Sequence, residues 1–287
     1  MLVICGFADS PIRRFADLLI MNIKFIVRGL LLALPVAAII SVAFILAMIR
    51  AQLGRPPDPT PLPPTILAPC GELPARPVGL QEWVRYRGEA YNLAGSGFLI
   101  LLRDGQIMGV TTAHSVSIGD PDRPLERIAL SVPGQTDFVV EFDTLRGQPG
   151  QPRTGGDMTV DYVLLRADQP IDSSFVLTPD PRGVPQPGER VSLFSCSGDG
   201  QGGQRILEGT VQSVSDTAVW VLMDELFNPD GMSGSPFVSQ HTGQVVGMAI
   251  AVSLRGNRLL LGVHPIGSIV QLAESATEFP RINEYRR

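Results

Sequence analysis

The chain has 287 residues, 44% of them apolar, with a net charge of −5 and a pI near 5.3. That length suffices for one large core or two small ones, and the acidic balance excludes a protein that holds nucleic acid through its phosphates. Only 18% of residues are charged, while glycine (30) and proline (25) abound, which favours a β-rich, turn-dense fold over a helical one.

Residues 1–28 carry Arg13, Arg14, Lys24 and Arg28 against Asp9 and Asp17, and read as a basic cytoplasmic N-terminus. Residues 29–48 contain no charge, and such a run matches a bilayer core of about 30 Å at about 1.5 Å per residue. Pro35 is tolerable in a membrane helix. A cleaved signal peptide would have a shorter apolar run ending at a small-x-small site, which Ala47-Met48-Ile49-Arg50-Ala51 does not offer. The expectation is one transmembrane anchor at 29–49 in the cytoplasmic membrane, with everything after it outside, periplasmic or extracellular. Residues 50–79, with prolines every few positions, read as an extended linker outside any core.

From residue 80 short apolar runs alternate with Gly, Pro and Asp. Residues 97–102 and 107–111, joined by Arg103-Asp104-Gly105-Gln106, form a predicted hairpin. Further strands are predicted at 128–132, 138–142, 162–165, 191–194, 206–214, 219–222, 245–252 and 259–263, and a helix from Ile266 to about Thr277, where Ile269, Leu272 and Ala273 recur at helical spacing. This spacing predicts an all-β antiparallel barrel or sandwich over residues 80–280. Cys5, Cys70 and Cys196 are too few and too scattered for a zinc site or a disulfide scaffold. Cys70 and Cys196 can pair in an oxidising compartment, or stand as separate thiols. No cluster of ligands points to a metal or an organic cofactor, and nothing fixes an oligomeric state.

Chemistry concentrates in Gly231-Met232-Ser233-Gly234-Ser235-Pro236. A serine between glycines allows a substrate carbonyl close to the backbone, where the N–H groups of Gly231 and Ser233 converge on a developing oxyanion. Of the three histidines, His114 follows the hairpin in Thr112-Ala113-His114 and suits a general base. His241 lies in a turn, and His264, before Pro265, reads as structural. Asp161, ahead of Tyr162-Val163-Leu164-Leu165, is the carboxylate best held by a strand; Asp157, followed by Met-Thr-Val, reads as loop.

Together these runs resemble the trypsin/chymotrypsin-like serine endopeptidases, in the order His114, Asp161, Ser233, with Gly95-Ser96-Gly97-Phe98 and Val245-Val246-Gly247 also fitting. The resemblance implies two six-stranded antiparallel barrels with a C-terminal helix, His114 and Asp161 on the first and Ser233 on the second. It implies a polypeptide substrate, an acyl-enzyme on Ser233, and an oxyanion hole from Gly231 and Ser233. Ser115 stands where many members have cysteine. Met232 replaces the aspartate used in zymogen activation, and Ser235 replaces a second glycine. Phe227, Ala251 and Val252 fall where the family shapes its substrate pocket, and with no acid there a small or apolar side chain is expected. The rival readings are a catalytically silent module of this fold that binds a peptide or partner protein, and an esterase.

Overall fold

The computed structural model describes residues 67–196 and 203–286. The expected N-terminus 1–28, the anchor at 29–49 and most of the linker lie outside the described residues. Among those described, no helix is long and apolar enough to cross a membrane.

Seven strands build the first half: β1 (Leu80–Tyr86), β2 (Asn92–Leu101), β3 (Ile107–Thr111), β4 (Leu125–Ser131), β5 (Phe138–Phe142), β6 (Val163–Arg166) and β7 (Val176–Leu177). Their order is β5-β4-β1-β2-β3-β6, and β7 runs parallel to the far half of β2. The second half is a closed barrel of six strands: β8 (Arg190–Ser195), β9 (Arg205–Val214), β10 (Val219–Met223), β11 (Pro236–Ser239), β12 (Val245–Arg255) and β13 (Arg258–Pro265). The helix α1 (Ile266–Ser275) follows directly from β13.

The expected pair of six-stranded barrels is therefore half right. The first half is an open, curled sheet whose edges meet at one bridge, Leu145 with Leu165, flanked by Arg146 N–H to Leu164 O (2.8 Å) and Arg166 N–H to Thr144 O (3.1 Å). A longer ladder cannot form, because the chain leaving β5 turns away at Gly147, whose φ is +74°.

Three apolar clusters organise the fold. One fills the first sheet around Leu80, Leu99, Ile128, Phe142 and Leu165. Another fills the barrel around Leu193, Val221, Phe237 and Val263. The third lies between them, where Phe98, Ile100 and Met108 from the sheet meet Phe194, Val238 and Met248 from the barrel and Ile266 and Ile269 from α1. Burying this seam makes the two halves one body and fixes the loops along it.

Ions reinforce the connection. Arg182 Nη2 reaches Asp180 Oδ2 (2.6 Å) and Glu189 Oε1 (2.9 Å), and both carboxylates are buried. Thr242 donates to Asp180 and Ser239 to Glu189, tying the segment after β7 to the turn after β11.

The described end of the predicted linker is packed rather than free. Cys70 and Gly71 N–H both donate to Gln240 O, and Val78 and Gly79 N–H to Gln204 Oε1 (2.8 and 2.9 Å). Leu73 and Val78 bring apolar surface onto the central cluster, which a spacer would leave in water. Cys70 is exposed and Cys196 buried, and both are free thiols.

Candidate active site

His114 and Asp161 meet at the rim of the first sheet. Asp161 immediately precedes the β6 region, whose Val163, Leu164 and Leu165 are buried and anchor it. Its carboxylate accepts from the His114 ring (Nδ1 to Oδ2, 2.8 Å), from His114 N–H (3.0 Å) and from Arg153 N–H (3.1 Å). The carboxylate side chain is 1% exposed, whereas the imidazole is 33% exposed, so the ring is shielded behind and open in front. Burial raises the Asp161 carboxyl, but the His114 side chain and the two backbone N–H groups outweigh it, and the net shift is downward. An ionised carboxylate on Nδ1 leaves the imidazole lone pair at Nε2, the state a general base needs. Asp157 instead caps Thr159, accepting from its N–H (2.8 Å) and hydroxyl.

Ser233 lies on the loop between β10 and β11. Met232 N–H closes a turn onto Pro229 O (3.2 Å) with Gly231 at φ +77°, the glycine position of a type II turn. A type I turn here would flip the 230–231 peptide, so the turn type fixes which way the Gly231 N–H faces. Met232 is buried in the barrel cluster. Apolar packing thus secures the loop where the resemblance led one to look for an aspartate.

Ser96 fastens this loop to the first sheet. Its N–H donates to Ser233 O (3.0 Å), its hydroxyl to Gly231 O (2.7 Å), and its carbonyl accepts from Thr111 Oγ1 (2.9 Å). Gly234, at φ +93°, makes the approach possible, since a Cβ there would lie 1.8 Å from Ser96 O. On the other side Gly234 N–H donates to Ala249 O and Ala249 N–H to Ser235 O, both 2.9 Å, so the loop is stitched to β12 as well. Among the described residues no hydrogen bond joins the His114 ring to the Ser233 hydroxyl; such bonds commonly tighten only with substrate in place. Sequence reading quoted Ser96 within a motif but gave it no role. The small-polar-small run was the only signal, because the loop carbonyls that Ser96 holds are 135 residues away or more.

Beside Ser233 is a cavity of about 50 Å³ lined by Pro229, Met232, Ala249, Ile250, Ala251, Val252 and Leu261. Ala251 and Val252, two of the residues named from the sequence, thus lie beside Ser233. Phe227 does not line this cavity but packs against the barrel cluster. His264 is buried beneath Tyr162 in an edge-on contact (5.9 Å between centroids), and burial pushes its imidazole down to about 4. His241 Nδ1 instead contacts Ala68 O (2.9 Å).

A family model for the trypsin-like peptidase domain matches residues 95–248. Similar solved structures include a serine endoprotease from Yersinia pestis, 17% identical, matching 70% of this chain and 65% of that one with a TM-score of 0.47. Kallikrein-related peptidase 10 is 15% identical over 71% of this chain and 96% of its own, with a TM-score of 0.48. The thermostable serine protease AL20 from an extremophilic microorganism is 12% identical over 70% and 97%, with a TM-score of 0.47. The chain thus spans just under two thirds (65%) of the length of the Yersinia protein. A comparison with curated proteins found no match.

Proposed function

This chain belongs to the trypsin-like peptidase domain family, and from that premise we propose that it is a serine endopeptidase working through an acyl-enzyme on Ser233. The observation that carries the proposal is the His114–Asp161 pair, bonded at 2.8 Å, with its carboxylate buried and its imidazole partly exposed.

In this reading Ser233 Oγ attacks the peptide carbonyl while His114 Nε2 takes its proton, forming a tetrahedral oxyanion that Gly231 and Ser233 N–H stabilise. His114 then protonates the leaving amine, and water, activated by the same ring, releases the acyl group. Asp161 holds the ring's tautomer and stabilises its cation. The cavity of about 50 Å³ beside Ser233 suits a small apolar side chain on the acyl side of the cleaved bond. We further assign residues 29–49 to a membrane anchor, with the peptidase periplasmic or extracellular. The uncharged run and the preceding basic residues support this.

The test is turnover of peptides differing only at the residue before the scissile bond, using full-length protein in detergent. Cleavage after alanine or valine that exceeds cleavage after lysine or phenylalanine supports the reading. Hydrolysis of matched esters without any peptide hydrolysis would make the protein an esterase instead.

A further inference from the structure

Beneath the nucleophile loop sits a carboxyl that this chemistry does not use. Glu82 on β1 has no exposed surface, and neither carboxyl oxygen has a hydrogen-bond partner among the described residues. The strand alternation sends Leu80, Glu82, Val84 and Tyr86 to the inner face, so the glutamate is directed into the sheet's interior.

Its surroundings are polar but uncharged. On β2 Gly95 lies opposite, and a Cβ there would come within 3.2 Å of Glu82 Oε2 and 2.9 Å of Ser115 Oγ. Leu130 lies opposite on β4, and the Thr111 hydroxyl approaches from β3. The titratable ring on the turn that carries Ser115 is His114, already bonded to Asp161.

Thr111 links this carboxyl to the site. Its one hydroxyl proton goes to Ser96 O (2.9 Å), so toward Glu82 it offers only lone pairs. A neutral carboxylic acid can donate to those lone pairs. A carboxylate cannot, and competes with Ser96 O for the Thr111 proton. Ser96 in turn holds Gly231 O and Ser233 O, and the Cβ missing from Gly234 would lie 3.2 Å from Thr111 Oγ1. Hydrogen bonds thus run from the Thr111 hydroxyl beside Glu82, through Ser96, to the nucleophile loop.

Building on the peptidase reading above, we propose that Glu82 is a positioning residue: as a neutral acid it supports the Thr111–Ser96 contact that registers the nucleophile loop on the first sheet, and its ionisation releases that contact. Burial pushes its carboxyl up from 4.5 to about 8, with the Thr111 hydroxyl opposing. The release therefore falls on the alkaline side of neutrality.

The experiment measures the rate at which a fluorophosphonate labels Ser233 in full-length wild type, Glu82→Gln and Glu82→Leu, from about pH 6 to about pH 10. Glutamine stays neutral throughout and keeps a donor for Thr111. Wild-type labelling is expected to fall roughly tenfold across the alkaline limb, whereas E82Q holds its neutral-pH rate. E82L is expected to be slower at every pH. Circular dichroism at each pH shows that the fold persists, and the comparison of wild type with E82Q decides even where E82L does not fold. An alkaline fall shared equally by wild type and E82Q overturns the inference alone. No labelling of folded wild type at any pH overturns the peptidase reading, and this inference with it.

Discussion

Replacing Gly234 by alanine separates the nucleophile loop from the sheet it leans on with a single methyl group. The added carbon would sit 1.8 Å from Ser96 O and 2.7 Å from Ser96 C, both backbone atoms of β2 that cannot swing aside. Ordinary contact begins near 3.4 Å, so loop or strand must retreat by about 3.4 − 1.8 = 1.6 Å. Alanine at φ +93° adds about 1–2 kcal/mol of backbone strain. The retreat breaks the Ser96 hydrogen bonds to Ser233 O and Gly231 O, each contributing about 0.5–1.5 kcal/mol. The expected loss is thus about 2–5 kcal/mol, read by urea unfolding through Trp83 and Trp220 fluorescence. In the fraction that remains folded, a displacement above 1 Å should cost roughly 10²-fold in the rate of Ser233 labelling. A variant within about 1 kcal/mol of wild type that labels at the wild-type rate would refute the role given to this contact.

Asp161→Asn is expected to leave the circular dichroism unchanged and to cut peptide turnover by about 10⁴, because the amide no longer enforces the His114 tautomer. Arg182→Met leaves Asp180 and Glu189 buried without their cation, and should cost about 3–5 kcal/mol in urea unfolding while sparing the site's chemistry. His264 is held neutral, its value lowered from 6.5 to about 4. Its contribution to stability is therefore complete above pH 6.5 and lost as pH falls through about 4, amounting to roughly 3 kcal/mol. His264→Phe should flatten that acid limb, and identical limbs in the two proteins would show that the ring does not carry it.

Much of the second half was legible because β10 is an unbroken apolar run and β9 alternates, with Leu207, Gly209 and Val211 inward: 206–214 and 219–222 were read within one residue of β9 and β10. Three strands escaped. In β1 an inward-facing Glu82 disguises the alternation, and β7 has only two residues. In β11 all four residues are buried and the first is proline, so no period shows. The pairing of His114 with Asp161 was readable because each lies beside a strong strand. Ser96 and Thr111 were not: Ser96 bonds a loop 135 residues or more away, and Thr111 supports it from the neighbouring strand, neither of which local sequence encodes. The open first sheet was equally hidden, since its closure depends on the path of residues 144–147, which have no strand pattern of their own.

The central claim is that Ser233 is activated by His114, and the most direct test locates covalent adducts after full-length protein meets a fluorophosphonate. Wild type should carry one adduct, mapped to Ser233, and Ser233→Ala and His114→Ala should carry none while keeping the wild-type circular dichroism. Folded wild type that stays unlabelled, or His114→Ala that labels as fast as wild type, would contradict the account.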